Sequence, residues 1–128
     1  MRLRVKTAMA AAIAMAATLL PAGSAQAAHG RTGTAACPSG YLCVWDQPDF
    51  RGRMYRFLGD NASWGDWAID NNDRSWFNNG TSGTYACVWQ YVNLVGHAKA
   101  LAPGEASPDD PGHAGRGSSN DWRRGGCE

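Results

Sequence analysis

Tyr41-Leu42-Cys43-Val44-Trp45 recurs forty-four residues later as Tyr85-Ala86-Cys87-Val88-Trp89. The same offset pairs Phe50 with Leu94, Gly52 with Gly96, Phe57 with Leu101, Ser63 with Ser107, Asp66 with Asp110 and Ser75 with Ser119. Apolar positions stay apolar and the turn glycines stay glycine. Two copies of one unit, each about forty residues long, therefore make up the folded part. Repeat arrays generally need three or more copies, so two copies predict a closed, pseudo-symmetric domain.

Both copies read as strands. Tyr41–Trp45 and Thr84–Trp89 are rich in β-branched and aromatic residues. Arg53–Leu58 and Gly96–Leu101 follow as second strands, with Pro48-Asp49 and Pro103-Gly104 marking turns. No long window carries a helical stripe. Ser63-Trp64-Gly65-Asp66 has cap-like ends and predicts one or two helical turns inside a long connection. Short strands joined by Gly- and Asn-rich connections predict an all-β antiparallel sandwich of two four-stranded Greek keys. The six tryptophans are expected to fill most of its core. Trp64 and Trp67, lying in a loop, are the candidates for an exposed sugar-binding platform instead.

The chain begins with a basic segment (Arg2, Arg4, Lys6), an apolar run from Ala8 to Leu20, and Ala25-Gln26-Ala27. This order reads as a secretory signal peptide over residues 1–27. The run is short for a membrane helix, which needs about twenty residues, so a soluble exported product is expected. Without that segment nine basic residues face eleven acidic ones, a formal charge of −2. Such a balance excludes the basic footprint of a nucleic-acid binder. Residues 28–36 read as a flexible lead-in, and 37–128 as the domain, with one key over 37–80 and the other over 81–128.

Cys37, Cys43, Cys87 and Cys127 all lie in the exported part. An even count in an oxidising compartment reads as two disulfides. Three connectivities are open. The turn sequence Pro38-Ser39-Gly40 favours Cys37–Cys43, which leaves Cys87–Cys127 to tie the tail to the second copy. Zinc spacing is lacking: there are no paired C-x-x-C units.

Trp45-x4-Phe50-x-Gly52 resembles the signature of βγ-crystallin Greek keys, two aromatics followed by a glycine that takes a positive φ. The second copy, Trp89-x4-Leu94-x-Gly96, keeps the glycine. Gly52 and Gly96 are thus the expected turn glycines. Cys37-Pro-Ser-Gly-Tyr-Leu-Cys43, Val95-Gly96 and Leu101-Ala-Pro-Gly104 are similar to the secreted bacterial metalloproteinase inhibitors built on this fold. The resemblance covers roughly residues 37–122. It implies a rigid, monomeric, non-enzymatic βγ-crystallin-like domain that blocks extracellular thermolysin-like metallopeptidases by filling the active-site cleft. The family's reactive loop lies near the start of the second key. That maps onto Asn79-Gly80-Thr81-Ser82-Gly83-Thr84-Tyr85-Ala86-Cys87-Val88, with Tyr85 and Val88 as the side chains a hydrophobic-selective cleft would take. A departure stands at Thr81, where the offset from Cys37 would place a bracing cysteine.

Two alternative functions stand beside this one, the first from the crystallin resemblance and the second only from the small, stable, exported scaffold. Microbial crystallin-like domains bind calcium through Asn/Asp-Asn/Asp-x-x-Ser/Thr-Ser. Asn71-Asn72-Asp73-Arg74-Ser75-Trp76 meets five of the six positions, with Asp70 as an adjacent carboxylate. Ala114–Ser119 in the second copy keeps only the serines, so calcium binding is expected to be weak, and no other cofactor is implied. An exported antimicrobial or cell-wall-directed effector is the other alternative. Enzymatic candidates (His97, His113, Asp109, Asp110, Ser118, Ser119) sit in no catalytic motif.

Overall fold

The computed structural model describes residues 32–128. The expected leader falls outside that range. Seven strands follow in order: β1 (Leu42–Gln47), β2 (Arg51–Phe57), β3 (Ser75–Asn78), β4 (Tyr85–Tyr91), β5 (Val95–Leu101), β6 (Ala106–Ser107) and β7 (Ser119–Arg123). They form two antiparallel sheets, ordered β2-β1-β3-β6 and β5-β4-β7. The forty-four-residue period of the sequence reappears as one ladder register built twice. Leu42 pairs with Phe57 and Trp45 with Met54; Ala86 pairs with Leu101 and Trp89 with Ala98. Each hairpin slips register at the same place, after Trp45 and after Trp89.

The slip marks a folded hairpin that both copies build with the same parts. Asp49 and Phe50, then Asn93 and Leu94, take left-handed backbone angles, followed by Gly52 at φ +75° and Gly96 at φ +96°. A serine from the last strand of each copy latches the turn. The Ser75 hydroxyl donates to the Gln47 carbonyl (2.8 Å) and accepts from the Phe50 N–H (3.0 Å). Ser119 does the same with the Tyr91 carbonyl (2.6 Å) and the Leu94 N–H (3.2 Å). In the first copy Trp45 and Phe50 also meet edge to face, with ring centroids 5.2 Å apart.

The two copies exchange strands. β6 of the second copy leaves its own sheet and pairs with β3 of the first. The matching crossing of the first copy is reduced to a single bridge, Asn61 with Asn120. That is why seven strands stand where eight were expected. The connection after β2 delivers a core residue in place of a strand: Trp64 is fully buried, stacks on Phe57 at 4.8 Å and donates its indole N–H to the Asn120 side chain (2.8 Å). Separate turns, closed by Trp67 N–H to the Trp64 carbonyl and Asp70 N–H to the Trp67 carbonyl, replace the expected helical piece. Gly65 inside so short a stretch leaves little to propagate a helix.

Leu42, Val44, Phe57, Trp64, Ile69, Trp76, Ala86, Val88 and Leu101 form the core between the sheets. Of the six tryptophans only Trp64 and Trp76 belong to it, with Trp122 packed at its margin. The reason is strand alternation: with Leu42 and Val44 turned inward, Cys43 and Trp45 point to the outer face. Those outer faces are covered too. Trp45 joins Cys37 and Cys43, flanked by Tyr41, Phe50, Met54 and Phe77. A 3-10 turn over Gly33–Ala36 lies beside this cluster, so that part of the segment expected to be flexible is structured; residues 28–31 lie outside the described range. On the other sheet Trp89 donates to Asp121 (2.7 Å), and the Arg123 guanidinium sits 4.4 Å from its ring while bonding Asp121 at 2.6 Å. Each end of the described chain is cross-linked to the strand it crosses, by Cys37–Cys43 and Cys87–Cys127.

Candidate inhibitory site

The connection between the keys runs from β3 into β4. Asn78, fully buried, is its anchor. Its amide donates to the carbonyls of Thr84 (3.0 Å) and Leu101 (2.9 Å), and its side-chain oxygen accepts from the Gly80 N–H (3.0 Å). Asn79 fastens the same connection to the short cysteine loop of the first copy. Its N–H donates to the Tyr41 carbonyl (3.0 Å), its carbonyl accepts from Gly40 (2.7 Å), and its amide donates to the Cys37 carbonyl (3.0 Å). A brace from the other copy therefore reaches the loop that lacks a cysteine at Thr81. The Ser82 and Thr84 hydroxyls, 2.7 Å apart, close the tip.

The presentable part of this loop is shorter than the expected segment. Thr81, Ser82 and Gly83 are exposed, and Thr84 and Tyr85 are half-buried. Ala86, Cys87 and Val88 are already strand β4 and buried, Val88 at 2 % exposure inside the core. Val88 is thus corrected from contact residue to core residue. Thr81–Gly83 carries no charge and no large apolar side chain.

The calcium candidates divide. Ser75 and Ser119 perform the same latch, so the structural frame of the first motif runs from Asp70 to Ser75, one residue earlier than the sequence match. Arg74 then stands at the Ser/Thr position. Asp73 is turned inward, accepting from the Trp76 indole (2.9 Å) and the Gly117 N–H (2.8 Å). Burial pushes its carboxyl up from the usual carboxylate range, against the pull of those donors. Asn72 bonds the Ala68 carbonyl (2.9 Å). Asn71, at φ +56°, accepts from the Ser118 hydroxyl (3.3 Å), and one Asp70 carboxylate oxygen beside them is buried without a partner. One free carboxylate, one amide and one hydroxyl fall short of the six to eight oxygens calcium takes. Among the described residues no three His, Cys, Asp or Glu side chains converge on a metal position. The residues present do not fit a strong calcium site.

A cleft of about 160 Å³ opens between β5 and the 110–117 loop, with Asp73, Gln90, His97, Lys99, His113 and Arg116 in its wall. Lys99 bonds Asp110 at 2.6 Å, and His113 bonds the same oxygen at 2.9 Å. The Lys99 hydrogen bond holds the Asp110 carboxyl below its usual range. No hydroxyl or thiol lines the cleft. Ser118 and Ser119 are engaged elsewhere, in the Asn71 contact and the latch. The offset could have flagged this cleft: Lys99 stands where the first copy has Tyr55, and His113 where it has Ile69. Trp64 is sealed in the core and leaves the platform reading, while Trp67 is 40 % exposed against Phe57.

The model of peptidase inhibitor family I36 matches residues 30–101. The chain belongs to this family. The match spans the braced cysteine loop, the inter-key loop and both folded hairpins. Among solved structures, the chain is similar to one described under the evolution of the eye lens βγ-crystallin domain fold (15 % identity, TM-score 0.62, covering 74 % of this chain and 94 % of that one). It is also similar to a βγ-crystallin from Ciona intestinalis (16 %, TM-score 0.56, 66 % and 100 %) and to one from an archaeon (20 %, TM-score 0.54, 67 % and 100 %). At these identities the likeness shows the fold: a βγ-crystallin sandwich. No curated protein matches the chain. An I36 protein on a βγ-crystallin scaffold is a peptidase inhibitor, a binding protein and not an enzyme.

Proposed function

We propose that this protein is a secreted, monomeric inhibitor of extracellular metallopeptidases of the thermolysin type. Membership of the I36 family carries the reading. The target class comes from the resemblance in the cysteine loop and the second key. Two disulfides on a domain of this size favour an oxidising, extracellular setting. The scaffold suits the task because rigid surfaces lose little entropy on binding. Its hairpins are latched, its outer faces are covered, and its inter-key loop is pinned to a cross-linked turn.

The test is titration of thermolysin with the oxidised protein, followed by cleavage of a fluorogenic peptide. Saturable inhibition at micromolar concentration or below is expected. Full peptidase activity at high micromolar inhibitor refutes the metallopeptidase reading, and a parallel titration of a serine peptidase shows whether another class is the target.

A further inference from the structure

We propose that the β4–β5 hairpin tip, Tyr91-Val92-Asn93-Leu94-Val95, is the surface that enters the substrate cleft of the inhibited peptidase. The inference rests on the inhibitor reading above and gives it a contact surface other than the inter-key loop. Tyr91, Val92 and Val95 are 55 %, 46 % and 54 % exposed, three of the five large apolar side chains that the described residues leave in solvent. The tip carries no charge.

The repeat supplies an internal control. The first copy builds the same folded hairpin from Gln47-Pro48-Asp49-Phe50-Arg51, with the same register slip, the same pair of left-handed residues and the same serine latch. There the positions of Tyr91, Val92 and Val95 hold Gln47, Pro48 and Arg51, two polar residues and a proline. The backbone therefore does not require apolar side chains at these places. Clustered at one tip, they leave in solvent an apolar patch that the shared backbone does not call for, as a binding surface does.

The tip is also held in shape. Asn93 donates its N–H to the Ala62 carbonyl (2.7 Å), and Ser119 ties Leu94 to Tyr91. A convex, preorganised, uncharged apolar tip fits a concave apolar cleft. Peptidase clefts take substrates as extended strands. Asn93 and Leu94, at φ +62° and +60°, hold the tip out of that conformation. Occupation is thus not followed by cleavage. The inter-key loop offers only Thr81, Ser82 and Gly83 to a hydrophobic-selective cleft. It lies at the opposite end of β4, roughly 20 Å away at about 3.3 Å per residue, so the two surfaces can be altered independently.

The experiment transplants the first tip onto the second. Tyr91→Gln with Val95→Arg copies Gln47 and Arg51, which the same backbone already carries. Val92→Ser is a milder second variant, and Thr81→Ala with Ser82→Ala is the loop control. All are checked for wild-type urea midpoints and titrated against thermolysin. The expected result is a rise of the inhibition constant by at least about thirtyfold in Tyr91→Gln/Val95→Arg, the scale of losing two apolar anchors, and a clear rise in Val92→Ser. The loop variant should stay within about threefold. Equal inhibition by wild type and both tip variants overturns the tip assignment while leaving the inhibitor reading intact. No inhibition by the wild type overturns both. A wild type that dimerises in sedimentation velocity, with a monomeric tip variant, makes the occupant a second copy of this chain and overturns the assignment to a peptidase.

Discussion

Replacing Gly52 with alanine tests the folded hairpin and the equivalence of the two copies together. Gly52 sits at φ +75°, and a Cβ built there would collide with an Asp46 carboxylate oxygen and lie 2.7 Å from Gln47 Cγ. The left-handed backbone alone costs an L-residue about 1–2 kcal/mol. The Asp46 carboxylate must also move, and it is the acceptor for the Arg53 N–H at 2.9 Å. Losing that bond adds roughly 0.5–1.5 kcal/mol, so Gly52→Ala should cost about 2–3 kcal/mol. At about 4–8 °C per kcal/mol for a domain of this size, the melting temperature should fall by roughly 10–20 °C. Gly96→Ala should cost less, about 1–2 kcal/mol. There the clashing atom is Tyr91 Cδ2 at 2.8 Å, the edge of an exposed ring that can swing aside. Urea denaturation of the oxidised proteins, followed by tryptophan fluorescence, measures both. Adding Asp46→Ala to Gly52→Ala should recover about 1 kcal/mol as a coupling energy. An unchanged midpoint for Gly52→Ala, or a larger loss for Gly96→Ala, would refute the reasoning.

Three further outcomes are expected. Calorimetric titration should show no calcium binding below the millimolar range, because Asp73 faces the core and Asp70 is left as the free carboxylate; a micromolar dissociation constant would show that main-chain carbonyls complete the site. Burial raises the folded-state pKa of Asp73 above its unfolded value of 3.8. Its contribution to stability is therefore fully present below pH 3.8 and is lost as pH rises through the folded value. Relative to Asp73→Asn, the wild type should lose stability across that window, and parallel pH–stability curves would contradict this. Asp110, whose pKa is lowered, acts with the opposite sign and only below 3.8. Finally, Cys127→Ser opens the cross-link spanning 40 residues and should cost up to about 4 kcal/mol on loop entropy. Thermal melts of the oxidised variant decide it, and a midpoint within a degree of wild type would mean that the tail contributes nothing.

The pseudo-symmetric sandwich was legible because its cause is local and repeated. An offset of forty-four residues in the sequence becomes, strand by strand, the same offset in the ladder registers, since side-chain alternation, turn glycine and latch serine are each set within one copy. What stayed hidden depends on contacts between distant parts of the chain. Leu42–Trp45 and Ala86–Trp89 are runs of four consecutive buried residues. Such runs do not reveal which members face the core, because chain termini cover the outer faces. Hence Trp45 and Trp89, buried on the outer faces, could not be told from the core between the sheets, and nothing in the run itself showed that Val88, placed by the family's loop among the contact residues, faces that core. The calcium frame slipped by one residue for a related reason: adjacent serines and asparagines are interchangeable on paper, and the latch bonds to Gln47 and Tyr91 are what fix the count.

The candidate site shows the same division more sharply. Position along the chain pointed to the inter-key loop, and the anchoring of that loop by Asn78 and Asn79 could not be read from residues that look like ordinary turn formers. The apolar tip was present in the sequence all along, as Tyr91-Val92-Asn93-Leu94-Val95 set against Gln47-Pro48-Asp49-Phe50-Arg51. A single strand's hydrophobicity cannot distinguish buried from exposed. The difference between two hairpins sharing one backbone can, because whatever that hairpin backbone demands must appear in both. Agreement between the copies therefore locates the structural parts: Gly52 with Gly96, Ser75 with Ser119, Cys43 with Cys87. Disagreement outside the core locates residues free to serve function: the tip, and the Lys99 and His113 that stand where the first copy has Tyr55 and Ile69. Of these the tip alone combines exposure, apolar chemistry and a fixed backbone, the three properties that occupying a peptidase cleft demands.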